Sequence, residues 1–377
     1  MSGNTKFQRW FLPGFLFQSV VIGGGYATGR ELVAFFLSVG PLGGLLGLFV
    51  AAAGFSLLMA IAFELSRMTH TYDYRTFFKQ LLGRGWFLFE IAFGILALLI
   101  LAVLGAASGE LVSARLNIPP AVGTISLMAL VGLLVFWGTS LIETALAGWS
   151  VLLYVTYAVL IFSYLSKYGS VLPDILAADP LDQPWLFSSI KYVAYNVTAV
   201  AMIIFCVRHF ESRRDAFIAG ALAGPIGVLP ALLFFLGMAA SYPEIIDVPV
   251  PADFMMQRLS VGWLEIVFYL VVFGTFVETG SALIHSVNER IDHVFVEKGS
   301  EMPRWMRPLV ALVLLFIAIV LAQRIGLIDL VANGYGALSY AFIVIMVIPL
   351  LTVGIWRISQ GRGSQGTPQK GPSGNDA

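Results

Sequence analysis

Charge is scarce in this chain. Only 12% of its 377 residues are Asp, Glu, Lys or Arg, while 58% are hydrophobic, and soluble domains carry roughly a quarter charged residues. A water-soluble fold has no means of hiding that much apolar surface. Cysteine occurs once, at Cys206, which excludes an internal disulfide and a cysteine-ligated metal cluster. Lys+Arg and Asp+Glu both number 22, so no basic excess points to a nucleic-acid partner. Absent too are H-E-x-x-H, a P-loop and a nucleophile elbow, so the expected protein is not an enzyme and needs no cofactor.

What is present is a series of long apolar runs. The hydrocarbon core of a bilayer asks for about 20 such residues per helix. A transmembrane barrel would instead show alternating segments of about ten residues. Backbone polar groups in lipid must be satisfied within their own segment, which leaves helices. The apolar segments fall near residues 11–38, 43–65, 87–111, 121–138 and 149–165, then 187–207, 216–240, 262–286, 308–323 and 328–356. The expectation is an all-α integral membrane protein with ten transmembrane helices.

Lys6 and Arg9 precede the first segment without a small-residue cleavage site, so it reads as a retained helix, not a leader. With the N terminus inside, sixteen Lys and Arg fall on the cytoplasmic side, including Arg67, Arg75, Lys79, Arg84, Arg213, Arg214, Arg290 and Arg307. The other side receives Arg115, Lys167, Lys191, Arg258 and Arg324, and Arg30 stays within the first segment. That bias places both termini in the cytoplasm of a cell (inner or plasma) membrane protein. Five segments, an odd number, precede the outer loop, so the second five enter from the opposite side. The expected organisation is a first repeat over 1–165, an outer loop over 166–186, an inverted second repeat over 187–356 and a disordered cytoplasmic tail over 357–377. Inverted repeats hold their site at the midplane, in helices interrupted at corresponding positions, which directs attention to the first and sixth segments.

The first segment reads FQSVVIGGGYATGRELVAFF, with Gly23, Gly24 and Gly25 in succession and Arg30 beside Glu31 at membrane depth. Each glycine costs a helix about 1 kcal/mol relative to Ala, and a charge near the bilayer centre about 2.5–3.5 kcal/mol. The expected outcome is an unwound stretch whose freed carbonyls face a cation and whose following amides face an anionic group. Tyr26 and Thr28 belong to the same substrate-binding stretch. The bland alternative is close helix packing, the role expected of Gly43 with Gly47. In the sixth segment, FSSIKYVAYNVTAVAMIIFC, the interruption would rest on Tyr195, Asn196 and Thr198, whose side chains compete for backbone bonds. The eighth segment sets Thr275, Glu278, Thr279, Ala282 and His285 on one helical face, with Ser281 one turn beyond Glu278. Glu278 is the proton-carrier candidate or an ion-pair partner of Arg30. Thr275, Thr279 and Ser281 are candidate ligands for a sodium ion, and His285 reads as a packing residue. Arg30 and Glu31 form a gate or ion pair, and Tyr335, beside Gly334 and Gly336, an outer gate. Glu64, Glu90, Glu110 and Glu143 fall toward segment ends, where interfacial water makes them inexpensive and gives them no role.

The stretch GGGYATGRELVAFF at 23–36, the Gly-rich second segment and ETGSALIHSVNER at 278–290 resemble the YkvI family of bacterial membrane proteins. More distantly, the glycines of the first segment and the five-plus-five plan resemble the amino acid, polyamine and organocation superfamily. That resemblance implies a LeuT-type fold with segments 1 and 6 interrupted and alternating access. It also implies symport of a small, amino-acid-like zwitterion or anion with Na+ or H+. Gly23 to Gly25 match the segment that holds a substrate carboxylate in such transporters, and Thr275, Glu278 and Thr279 match the helix face near their sodium site. An acidic residue at Glu278 departs from the hydroxyl pair of sodium-dependent members. The rival reading is a receptor on the same fold that binds its ligand and never translocates it; a passive channel would show rings of pore-lining charge.

Overall fold

The computed structural model describes residues 5–137, 140–297 and 299–361, and among these the regular structure is all helix, with no strand. The expected tail from 362 onward and Lys298 lie outside the described residues, as does the side chain of Glu143. Eight of the helices are long and apolar enough to cross a membrane. The first apolar segment does not count among them because it is broken into α1 (Leu12–Val21), α2 (Gly24–Ala27) and α3 (Arg30–Phe35), preceded by a π-helical turn at Phe7–Phe11. The long helices that follow are α4 (Pro41–Thr69), α6 (Trp86–Leu116), the shorter α7 (Pro120–Trp137) and α8 (Ser140–Tyr168), with α5 (Tyr74–Leu82) lying between α4 and α6. After a short α9 (Leu172–Ala177) come α10 (Trp185–Asn196) and its continuation α11 (Val200–Ile203). Then come α12 (Arg213–Ala239), α13 (Pro251–Leu259), α14 (Gly262–Glu297), α15 (Met306–Ile325) and a last run over Leu327–Ser359.

Local chemistry starts and stops these helices. Pro41 occupies the first turn of α4, where its missing N–H costs nothing, and left-handed His70 ends it. Asp73 caps α5 by accepting from the Thr76 amide at 2.8 Å. Ser212 and Asp215 form a capping box at the start of α12.

Small residues set the closest helix approach. A Cβ at Gly220 would overlap the Ala60 backbone, and one at Gly224 the Ala52 carbonyl, so α12 lies directly on α4. Gly43 and Gly47 do serve packing, with Trp185 and Ser189 of α10 seated against them.

Both ends of the bundle are clasped by polar contacts. At the end bearing the N terminus, Arg9 pairs with Glu211 at 2.5 Å, the Trp10 indole N–H donates to Asp215 at 2.7 Å, and Arg290 pairs with Glu90 at 2.9 Å. Glu64 is no solvated end residue: it is 1% exposed and held by Arg67 at 2.7 Å, with Arg213 at 3.8 Å. Water is excluded there by the α4–α12 contact, so the expected cheap interfacial carboxylate is in fact a paired buried one. At the opposite end Arg115 pairs with Glu265, and the Tyr269 hydroxyl donates to Asp253.

Candidate solute-binding site

The site is built around the break in the first segment. The α1 helix ends at Ile22 (ψ 65°), Gly23 is extended (φ −90°, ψ −174°), and the chain turns helical again at Gly24. A second interruption follows at Gly29, whose left-handed φ of 79° suits glycine. A side chain there would also press on Phe234, Met238 and Pro251. The unwinding expected from the glycine run is thus present, with Thr28 closing the turn by donating to the Gly25 carbonyl at 2.7 Å. The Ala27 carbonyl, where the chain turns, accepts from the Tyr157 hydroxyl of α8.

The sixth segment does not unwind. Its backbone stays right-handed and tightens into 3-10 turns at Val197–Ala199 and Ile204–His209. The Asn196 amide donates to the Tyr192 carbonyl at 3.1 Å and the Thr198 hydroxyl to the Tyr195 carbonyl at 2.6 Å. These side chains reach back one turn and add to the helical ladder, so the expected interruption at Tyr195, Asn196 and Thr198 is a change of pitch only.

Between these elements lies a cavity of about 430 Å³. It brings together Gly23, Gly25 and Glu31 of the first segment, Tyr195, Asn196 and Thr198 of the sixth, Thr275, Glu278 and Thr279 of α14, and Tyr335 of the last run. Ser19 and Ser286, Phe93 of α6 and Tyr154 of α8 complete its polar and aromatic wall. Thr279 is packed against the break itself, its Cγ2 3.7 Å from the point where a Gly23 side chain would begin. The Thr275 hydroxyl donates to the Val271 carbonyl one turn back at 2.9 Å.

Other expected site residues stand elsewhere. Ser281 is buried outside the cavity, and its hydroxyl has no hydrogen-bond partner among the described residues. Tyr26 faces a separate apolar cavity of about 240 Å³, shared with Tyr157, Ile161 and Phe234. Arg30 pairs with neither Glu278 nor Glu31: its Nη1 donates to the carbonyls of Ile246 at 2.7 Å and Val248 at 3.0 Å. Successive helical residues point about 100° apart, so Arg30 pins the 240–250 linker while Glu31 turns inward. Tyr335, expected at an outer gate, is 1% exposed and stacks on Tyr195 with ring centroids 5.2 Å apart.

The residue that sequence reasoning misplaced is therefore Glu31. It is 6% exposed, its Oε2 accepts from the Tyr195 hydroxyl at 2.6 Å, and it joins no ion pair found among the described residues. Its position one residue from a buried arginine concealed it.

Solved structures of two variants of the Eremococcus coleocola manganese transporter are similar in fold, each with a TM-score of 0.53 at 16% identity, over 94% of this chain and 83% of theirs. The chain has the fold of a membrane transporter. In sequence it is 26% identical over 272 residues to the uncharacterized membrane protein YkvI of Bacillus subtilis (strain 168), which spans 69% of this chain and 74% of that protein. No family model matches. The apolar helices and these likenesses together make this a multi-pass membrane protein.

Proposed function

We propose that the chain is an ion-coupled secondary transporter that carries a small, amino-acid-like solute by alternating access. The observation that carries this reading is the cavity at the break in the first segment, walled by elements from both halves of the chain. On this reading the ten apolar segments form two inverted five-helix repeats over 1–165 and 187–356, joined by the 166–186 loop. The LeuT-type plan holds them, with both termini and the 357–377 tail in the cytoplasm of the cell membrane. The first, second, sixth and seventh segments would rock against the remainder.

The lining favours a zwitterion over a bare anion. Glu31 and Glu278 both face the cavity, and no Lys, Arg or His is among its described lining residues, so a solute with only negative charge would meet like charge. Manganese is not carried over from the fold neighbours: among the described residues, no three His, Cys, Asp or Glu side chains converge as a metal site would require. Glu278, with Thr275 and Thr279 beside it, takes the coupling ion, as a proton on the carboxyl or as sodium on the hydroxyls.

A thermal-shift screen of the purified protein against amino acids and small organic acids tests this, with and without sodium, at acidic and neutral pH. Stabilisation by amino acids that depends on sodium or on pH, with that dependence and not the binding itself lost in Glu278→Gln, is the expected result. Stabilisation by neither class in any condition would refute it.

A further inference from the structure

The cavity is lined by a buried carboxylate, Glu31, and no Lys, Arg or His is among its described lining residues. Glu31 Oε2 is occupied by the Tyr195 hydroxyl. Its Oε1 faces Gly25, lying 2.5 Å from the point where a side chain at that position would begin. The absence of a side chain at Gly25 is thus what lets Oε1 sit against the helix break, in the wall of the cavity. The Tyr335 hydroxyl stands 3.6 Å from the same point, deep in the protein and without a hydrogen-bond partner among the described residues. Two acceptors therefore converge on one spot, with the stacked Tyr195 and Tyr335 rings beside them.

A carboxylate out of water is costly unless a cation completes it. An unpaired hydroxyl costs further, and a donor to its lone pair would restore part of that cost. A substrate group that offers several N–H donors and a positive charge satisfies both at once, and can use the electron-rich ring faces as well. The helix break contributes too, because the last carbonyls of α1 lack intrahelical partners.

We infer that Glu31 Oε1 and the Tyr335 hydroxyl form a subsite for the ammonium group of an organic amine, so that the solute is anchored by its positive end in the first segment's distal half. This rests on the transport reading for its setting and deepens it by naming the group that is recognised. The carboxylate of a zwitterionic solute is then secondary: an amine lacking it still binds, and an acid lacking the amine does not.

The test is equilibrium binding to the purified full chain, by calorimetry, of two matched series. One is phenethylamine, phenylalanine and phenylacetate; the other is butylamine, 2-aminobutyrate and butyrate. Each is measured on the wild type, on Glu31→Gln and on Tyr335→Phe. Gln keeps an oxygen for the Tyr195 hydroxyl and Phe keeps the ring stack, so unfolding temperatures should remain close to wild type. The expected result is binding of amines and zwitterions but not of acids. Glu31→Gln should weaken amine binding by about tenfold or more, as for a charge-assisted bond lost, and Tyr335→Phe should weaken it less. Failure of every amine to bind, binding of the acids alone, or wild-type affinity in Glu31→Gln would overturn the proposal. Uptake into proteoliposomes separates it from the reading it rests on. Amine binding that Glu31→Gln abolishes, with no uptake, removes transport and leaves the subsite. Uptake of an acid, indifferent to Glu31→Gln, removes the subsite and leaves transport.

Discussion

The Tyr195 hydroxyl donates to Glu31 Oε2 at 2.6 Å, tying α10 to α3 across 164 positions of sequence. Both residues line the cavity. Beyond it Arg30 fastens the same stretch of chain to the Ile246 and Val248 carbonyls, and the Ala252 amide donates to the Thr28 carbonyl at 3.0 Å. Toward the N terminus the cavity runs on past Ser19, Met202 and Ser286. The distal half of the first segment is therefore fastened both to α10, through Glu31, and to the chain over 246–252, through Arg30 and Thr28.

Removing the donor should be felt in stability. Tyr195→Phe leaves Glu31 buried without its hydroxyl donor, and a buried acceptor stripped of its bond costs about 1–3 kcal/mol. The expected outcome is an unfolding temperature several degrees below wild type in detergent. Glu31→Gln,Tyr195→Phe together should cost less than the sum of the two.

Glu278 should behave in the opposite way. It lines the cavity and joins no ion pair among the described residues, so Glu278→Gln should change the unfolding temperature little while abolishing ion-dependent accumulation of solute in proteoliposomes. Exchange of solute across the membrane without a gradient should survive. A variant that accumulates solute normally would remove Glu278 from the coupling step.

At Glu64 the partners are not equivalent. Its carboxylate is 1% exposed, whereas Arg67 is 27% exposed, so losing the arginine strands a buried charge while losing the acid frees a group that water can reach. Arg67→Ala should therefore destabilise the protein by more than about 2 kcal/mol. Adding Glu64→Gln should restore part of the loss, which thermal unfolding of the two singles and the double will show.

The α4–α12 contact leaves no room. Gly220→Ala and Gly224→Ala each place a methyl against backbone of α4, which a flexible side chain cannot relieve. Overpacking of this kind costs about 1–3 kcal/mol, and each variant should unfold at a lower temperature than wild type. Gly94→Ala, where nothing lies within reach of a Cβ, should not.

The membrane class, most helix positions and the break at Gly23 were legible in the sequence because each rests on local signals: hydropathy over about 20 residues and the cost of consecutive glycines. The polar face of α14 was legible for the same reason, helical spacing placing Thr275, Glu278 and Thr279 together. The tyrosine pair was not. Tyr195 and Tyr335 meet at Glu31 from segments far apart in the chain, and no spacing rule reports a contact made by tertiary packing. Glu31 was hidden by its neighbour: adjacent opposite charges suggest a pair, yet residues i and i+1 of a helix face different ways. In the sixth segment the signal misled, since Asn196 and Thr198 could either replace backbone bonds or supplement them, and only the packed structure shows that they supplement.

The central claim, that one cavity opens in turn to the two faces of the membrane, is tested most directly by thiol accessibility. Cys206 is the chain's single cysteine and is fully buried, so Cys206→Ala gives a silent background for Ala282→Cys, whose side chain lines the cavity one turn from Glu278. A membrane-impermeant maleimide applied to one face or the other of oriented vesicles reads the result. Alternating access predicts labelling from both faces, with bound solute slowing both. Labelling from one face alone, unchanged by any solute, would contradict the account and leave a receptor in its place.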